Sequence, residues 1–153
     1  MIGLQVQDYE PANATLDIRR SVHNGAVRTP KSRKGKRQIT LPAIARDALD
    51  RHLAGREHDS IWMFPNSKGN PFGYRSFRVF HWIPLLERAG VPYRNFHVCR
   101  HTVASNLVAN PTLPIPAVAA YLGHDVQTLL RTYAHCLPNQ MQHVAAAIDE
   151  VLG

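Results

Sequence analysis

The chain has 153 residues, of which 44% are hydrophobic and 19% charged, a composition typical of globular proteins and unlike that of disordered ones. This length accommodates one domain with a hydrophobic core and hardly two. Lys and Arg outnumber Asp and Glu by 18 to 11, which gives a net charge of +7. This balance favours a polyanionic partner, although many basic domains bind no nucleic acid.

We expect neither secretion nor a membrane span. The opening residues lack the basic start and apolar stretch of a signal peptide, and no run of about 18 apolar residues occurs. Cys99 and Cys136 fit no metal-ligand or disulfide spacing. These features predict a soluble, intracellular single domain.

The first forty or so residues have the alternating pattern of β-strands. Residues 14–22 are predicted to form one strand, and Asn24-Gly25 is a hairpin-turn signal. A short strand follows over residues 26–29. The basic stretch Pro30–Arg37 is then predicted to be a hairpin tip, with Gln38–Leu41 as the returning strand. Together these segments predict a small antiparallel sheet.

From Pro42 onward the apolar spacing becomes helical. The first helix is predicted to have Pro42 in its first turn, to bury a stripe of apolar residues and to stop at Gly55. A short buried run, Ile61–Phe64, comes next. The fold class is therefore α+β and mainly helical, with a small antiparallel sheet near the N-terminus packed beside a helical body. The apolar stripe comprises Ile44, Ala45, Ala48, Leu49 and Leu53, and further helices are predicted over Tyr74–Ala89, His97–Ala109, Pro116–Leu122, Val126–Tyr133 and Asn139–Leu152.

The segment His97-Val98-Cys99-Arg100-His101-Thr102 is the first of three clusters that indicate chemistry. A spacing of three places His97 and Arg100 on one helical face, where both can meet a single phosphate. The planar guanidinium of arginine can hold two phosphate oxygens at once. Taken alone, the cluster is more typical of a capping histidine and a surface arginine at the start of a helix.

The other two clusters are Tyr121-Leu122-Gly123-His124 and Arg131-Thr132-Tyr133-Ala134-His135. A tyrosine acts as a nucleophile when its phenol is held in line with a phosphodiester and cationic groups stabilise the developing charge. By themselves, Tyr133 would be a half-buried aromatic residue and His124 a helix-boundary residue.

In this order, the three clusters resemble the active-site signature of the tyrosine recombinases, the phage integrase family. The resemblance is strong over Phe96–Leu137, and residues 30–42 look like the β-hairpin of that family. It implies the tyrosine-recombinase catalytic fold and site-specific DNA recombination or integration by DNA breaking and rejoining. It also implies a bacterial or phage-encoded protein that acts on DNA in the cytoplasm, without a metal or any other cofactor.

The resemblance assigns a role to each matching residue. Tyr133 attacks the scissile phosphate and forms a 3′-phosphotyrosine. Arg100 binds the non-bridging oxygens, and His124 hydrogen-bonds one of them. His97 assists proton transfer near the nucleophile, and Lys31 protonates the departing 5′-oxygen. Lys34 and Lys36 are less favoured alternatives to Lys31, and the expected DNA contacts are Arg33, Lys34, Lys36, Arg37 and His101.

The sequence departs from the family pattern at its start. The family carries a first arginine in a motif like Gly-Leu-Arg-x-Gly-Glu, whereas Ile2–Tyr9 looks like the segment that follows this motif. Arg19 and Arg20 lie in a predicted strand and are not counted as substitutes. We therefore expect residues 1–153 to be a catalytic domain without its first helices and N-terminal DNA-binding domain, weakly active or inactive alone.

The resemblance implies double-stranded DNA as partner and a homotetramer on DNA in the full-length protein. Residues 138–153 are amphipathic, and we expect them either to dock on a neighbouring subunit or to pack on their own domain. The main alternative function is a non-catalytic DNA-binding recombinase remnant or regulator. A zinc site is a weaker alternative, because His97 and His101 are four residues apart but no third ligand has a recognisable spacing.

Overall fold

A computed structural model describes residues 3–23, 26–28, 35–57, 59–139 and 141–152 of the chain. The chain divides into two compact units, Met1–Phe96 and His97–Gly153. In the described residues, none of the helices combines the length and the apolar content that a membrane span requires.

The strands of the first unit form two small antiparallel sheets. Strand β1 (Tyr9–Glu10) pairs with β2 (Thr15–Ile18), and β2 pairs on its other side with β5 (Arg37–Thr40). A separate two-stranded sheet pairs β3 (Ser21–His23) with β4 (Ala26–Arg28). The predicted antiparallel pairing is confirmed between residues 21–23 and 26–28. The predicted hairpin between residues 26–29 and the returning strand 38–41 is wrong, because β5 pairs with β2 in the other sheet.

The single strand predicted over residues 14–22 is wrong, because this segment is divided between the two sheets. The division lies at Arg19 and Arg20. The Arg20 guanidinium binds the carboxylate of Asp8, which is only 3% exposed and ends a short 3-10 helix, Val6–Asp8. This ion pair accounts for the chain leaving the first sheet after Ile18. The Asn24-Gly25 turn and residues 29–34 of the predicted hairpin tip lie outside the described residues.

Helix α1 (Ala43–Ala54) begins one residue later than predicted, because Pro42 is extended and precedes the first turn. Gly55 follows the last residue of the helix, as predicted. Leu49 is buried and Leu53 packs on the core, but Ile44 is 80% exposed and Ala48 is exposed as well. The predicted apolar stripe is therefore wrong at these two positions. In the run 61–64, Trp62 and Met63 are buried as expected, whereas Ile61 is exposed. The core cluster of this unit consists of Leu4, Tyr9, Leu16, Leu49 and Met63, with Ile18, Ile39, Leu41, Leu53 and Phe64 packed against it.

The helix predicted over Tyr74–Ala89 forms, but it is not uniform. It consists of α2 (Tyr74–Phe77), a π-helical turn (Arg78–Trp82) and α3 (Ile83–Arg88). Pro84 explains the irregularity, because proline lacks a backbone N–H and its ring clashes with the carbonyl four residues earlier in a regular α-helix.

The described part of the second unit is helical. Helices α4 (His97–Ala109), α5 (Ile115–Leu122) and α6 (Val126–Tyr133) confirm the predicted helices within one residue. A 3-10 turn (Ala134–Cys136) follows, and α7 (Met141–Leu152) begins two residues later than predicted. The core of this unit comprises Ala104, Val108, Val118, Ala119, Leu122, Leu129 and Tyr133.

Candidate active site

The first turn of α4 carries three of the residues that the sequence analysis selected. His97 begins the helix, and Arg100 and His101 follow three and four positions later. In a helix these positions lie on the same face, and the rings of His97 and His101 are 6.2 Å apart between centroids. His97 and His101 are exposed, whereas Arg100 is half-buried. This face therefore presents two imidazoles and one guanidinium together.

Arg100 is anchored to the end of α5. Its Nη2 donates a hydrogen bond to the backbone carbonyl of Leu122, the last residue of that helix. The final carbonyls of a helix have no partner within the helix and carry partial negative charge, so a guanidinium is well suited to bind there. The contact joins α4 to the segment that leads into His124.

The backbone around His124 is fixed by a helix-ending motif. Gly123 has a φ of 71°, in the left-handed region that glycine adopts readily. Its N–H donates to the carbonyl of Ala120 at 3.1 Å, and the N–H of His124 donates to that of Ala119 at 2.8 Å. These two bonds form a Schellman motif. The side chain of Asp125 then caps the start of α6, so that His124 lies between two defined helix ends.

Tyr133 ends α6, and its side chain is only 3% exposed. The hydroxyl oxygen lies 2.7 Å from Nδ1 of His101, a hydrogen bond between residues that are 32 positions apart. The two rings are tilted by 49°, with centroids 5.9 Å apart. One turn earlier, the fully buried Leu129 fixes α6 in the core. The phenol is therefore held at a defined place beside the first turn of α4.

The structure brings the selected residues of the second unit to neighbouring helix ends. Arg100 contacts the end of α5 next to His124, and His101 contacts Tyr133. The sequence analysis assigned His101 to DNA contact, and its bond to the tyrosine was not expected. A signal was present, since His101 lies one turn after His97 on the same face. The rings of His97 and His101 are in an edge-to-face arrangement.

The basic residues of the predicted hairpin belong to the first unit. Lys31, Arg33 and Lys34 lie outside the described residues. Lys36 is exposed, and Arg37 is half-buried at the start of β5, where it pairs with Ile18 of β2. The roles predicted for these residues stay predictions.

The residues of the second unit form a site suited to phosphoryl transfer. A tyrosine hydroxyl bonded to an imidazole can lose its proton on attack, and a guanidinium can bind the oxygens of a phosphate. Where the structure describes the chain, no group of three or more His, Cys, Asp or Glu side chains is arranged to hold a metal ion. The zinc alternative gains no support from the geometry of these residues.

Sequence comparison identifies relatives along most of the chain. Residues 1–140 match the phage integrase family. An integrase of Saccharopolyspora erythraea is 33% identical over 129 residues, covering 78% of this chain and 29% of that protein. An integrase of Salmonella phage P22 is 32% identical over 107 residues, covering 65% of this chain and 27% of that protein. The chain thus spans less than a third of the length of these two relatives.

Solved structures resemble the chain at lower identity. The Tn1549 transposon integrase, in complex with a circular intermediate DNA, has a TM-score of 0.73 and 18% identity over 99% of this chain and 53% of that chain. XerA recombinase has a TM-score of 0.67 and 21% identity over 97% of this chain and 50% of that chain. These matches confirm the predicted fold class, mainly helical α+β with a small antiparallel sheet. With the family match over residues 1–140, they show that the chain belongs to the phage integrase family and has the tyrosine-recombinase catalytic fold.

Proposed function

We propose that the two units together form one catalytic domain that breaks and rejoins DNA in site-specific recombination. The observation that carries this proposal is the position of Tyr133. Its hydroxyl is held by His101 beside the turn of α4 that also bears Arg100. A phenol held next to an imidazole and a guanidinium has the groups that attack on a phosphodiester needs.

The proposed reaction proceeds through a covalent intermediate. The Tyr133 oxygen attacks phosphorus, the bond to the 5′-oxygen breaks, and a 3′-phosphotyrosine forms. Arg100 and His124 stabilise the charge that develops on the non-bridging oxygens. His97 assists proton transfer, and Lys31 donates a proton to the departing 5′-oxygen. The phosphotyrosine conserves the energy of the broken bond, so attack by a 5′-hydroxyl reseals DNA without a nucleotide cofactor.

The partner in this proposal is double-stranded DNA. The net charge of +7 supports it, because each Lys or Arg that neutralises a phosphate releases a condensed counterion. The structural neighbours solved with DNA are a second support. In the full-length protein we propose a homotetramer on DNA, with Lys36 and Arg37 among the residues that contact the backbone, together with Arg33 and Lys34.

We further propose that the 153 residues alone react slowly. The first arginine of the family motif has no match in this sequence, and Arg20 is bound to Asp8. Removing one donor to a developing oxyanion typically lowers the rate by about 10²–10³. A covalent product is therefore expected to accumulate over long incubations, with little recombination.

A covalent-capture experiment tests this function without knowledge of the target sequence. The chain is incubated with a pool of nicked duplexes that carry randomised sites, on which cleavage releases a short oligonucleotide and traps the adduct. After denaturation, adducts are isolated by size and the modified peptide is identified by mass spectrometry. A nucleotide linked to Tyr133 supports the proposal, with Tyr133→Phe as the matched control.

The alternative function is DNA binding without catalysis. The burial of Tyr133 favours it. The same experiment separates the two functions, since duplexes retained on the chain without any covalent product at Tyr133 would support the binding module and contradict the recombinase.

A further inference from the structure

The contact between His101 and Tyr133 is not explained by a role of His101 in DNA contact. The imidazole is on the exposed face of α4, yet Nδ1 is directed at the hydroxyl of a tyrosine that is 3% exposed. A separation of 2.7 Å is that of a well-formed hydrogen bond. We propose that His101 is a catalytic residue, whose unprotonated Nδ1 orients the Tyr133 hydroxyl and accepts its proton during attack. This inference rests on the proposed function and adds a specific proton acceptor to it.

The geometry satisfies the requirements of a proton acceptor. A general base must lie within hydrogen-bond reach of the proton that it removes, and Nδ1 lies within that reach of the phenol. Both partners are supported by helices packed in one core, because Tyr133 is a member of the core cluster and Ala104 anchors α4 in the same cluster. The pair therefore does not depend on a flexible loop for its alignment.

The proposed step is balanced in atoms and charge. As the phenolic oxygen forms its bond to phosphorus, its proton moves to Nδ1 and His101 becomes an imidazolium. The 5′-oxygen leaves with the electron pair of the broken bond and takes a proton from another donor. On rejoining, the 5′-hydroxyl oxygen bonds to phosphorus and gives its proton back to the donor of the first step. The phosphotyrosine bond breaks, and the imidazolium returns its proton to the phenolic oxygen. No metal, oxidant or additional reactant takes part.

This assignment gives His101 and His97 different roles. Proton transfer near the nucleophile was predicted from the sequence for His97 and is here assigned to His101. The two rings are 6.2 Å apart between centroids, and His101 makes the hydrogen bond to the Tyr133 hydroxyl. In this proposal His97 contacts the phosphate together with Arg100. The two histidines are expected to respond differently to a change in the leaving group, which provides a test.

The decisive experiment measures the rate of covalent adduct formation on a duplex identified in the capture experiment, prepared in two versions that differ in the leaving group. One carries the ordinary 5′-oxygen leaving group, and the other carries a 5′-bridging sulfur, which departs without needing a proton. His101→Ala is expected to lower the rate about 10²–10³-fold with both substrates, within the range for general acid–base catalysis. A defect that disappears with the sulfur substrate would overturn the proposal, since it would make His101 the proton donor to the leaving group.

Added imidazole distinguishes a missing base from a damaged fold. We expect imidazole to restore part of the activity of His101→Ala in proportion to its concentration and unprotonated fraction. The control variant is Asn106→Ala, a substitution at an exposed position of the same helix, and its activity is expected not to respond to imidazole. His101→Asn, which retains a hydrogen-bonding group but no base, is expected to remain slow. Equal adduct rates for His101→Asn and the unchanged chain would contradict the proposal.

A second measurement does not require activity. Nitrogen-15 NMR of the histidine rings distinguishes an unprotonated nitrogen that accepts a hydrogen bond from one that carries a proton. We expect His101 to be unprotonated at Nδ1 and this resonance to shift in Tyr133→Phe. A protonated Nδ1, or no shift in the variant, would overturn the inference even if adducts form. Absence of adducts from the unchanged chain, with the NMR result as expected, would instead count against the proposed function.

Discussion

Arg100 of α4 donates a hydrogen bond to the backbone carbonyl of Leu122, the residue that ends α5. The residue proposed to bind phosphate is therefore also a link between two helices of the second unit. Because the bond holds the guanidinium at the helix end, Arg100 is oriented before any DNA is present. A pre-oriented cation needs less reorganisation during the reaction than a free surface arginine.

Substitution of Arg100 is accordingly expected to affect stability as well as catalysis. Arg100→Ala removes a hydrogen bond from a charged donor, which typically contributes about 1.5–3 kcal/mol. Because the side chain is half-buried, we expect the lower end of this range, about 1.5–2 kcal/mol, measured by urea denaturation. The control is Arg131→Ala, an exposed arginine of α6 that should change stability by less than about 0.5 kcal/mol. Equal stability of the two variants would contradict the anchoring role.

The turn before His124 requires glycine. Gly123 has a φ of 71°, a conformation that a side chain disfavours by roughly 1–2 kcal/mol. Gly123→Ala is therefore expected to lower the free energy of unfolding by about 1 kcal/mol. Gly55→Ala is the matched control, since Gly55 has a φ of −90° and an added Cβ would make an ordinary 3.5 Å contact. Thermal unfolding of both variants checks the difference.

The features that followed directly from sequence are those with local causes. Helix α6 begins at Val126 and ends at Tyr133 as predicted, because Asp125 caps its start within the same short segment. The end of α5 at Gly123 is likewise a local backbone preference. The ordered clusters around Arg100 and Tyr133 indicated the family, which the match over residues 1–140 then confirmed.

The features that sequence did not predict depend on contacts between distant residues. The division of the strand over residues 14–22 involves the ion pair of Arg20 with Asp8, which no alternating pattern reveals. The bond from His101 to Tyr133 joins positions 32 apart and requires the packing of α4 against α6. Helical spacing alone also placed Ile44 in the apolar stripe, although the structure leaves it exposed.

The stability of the first unit is expected to depend on pH through the ionisation of Tyr9. Its hydroxyl donates to Asp50 at 2.7 Å, and this hydrogen bond, followed by burial of the phenol, raises the pKa of Tyr9 above its usual 10.0. The folded state thus holds the proton more tightly than the unfolded state. The resulting stabilisation is complete below the usual pKa and is lost as the pH rises through the raised pKa.

Alkaline titration followed by ultraviolet absorbance tests this expectation. Subtracting the absorbance titration curve of Tyr9→Phe from that of the unchanged chain should leave one phenol that ionises with a midpoint above about 10. Asp50→Asn removes the carboxylate that is the main cause of the raised pKa. In this variant the titration midpoint of Tyr9 should therefore move back toward the usual value. A midpoint that is unaffected by Asp50→Asn would contradict the assigned cause.

The two adjacent arginines Arg19 and Arg20 are expected to differ strongly in their contribution to stability. Each is paired with an aspartate, but the Arg20–Asp8 pair has side-chain exposures of 17% and 1%, against 59% and 22% for Arg19–Asp17. Asp8 also accepts a hydrogen bond from the N–H of Gln5 at 2.8 Å. The Asp8 carboxylate therefore has little access to water when its guanidinium partner is removed.

Breaking a buried ion pair leaves an uncompensated charge and costs about 3–5 kcal/mol, whereas an exposed pair contributes about 0–1 kcal/mol. We expect Arg20→Ala to lower the free energy of unfolding by about 3 kcal/mol and Arg19→Ala by less than about 1 kcal/mol. Urea denaturation of both variants measures the two values. Arg20→Ala with Asp8→Asn should recover part of the loss, because a neutral amide is less costly to bury than an unpaired carboxylate. Similar losses for the two arginines would contradict the stabilising role assigned to the Arg20–Asp8 ion pair.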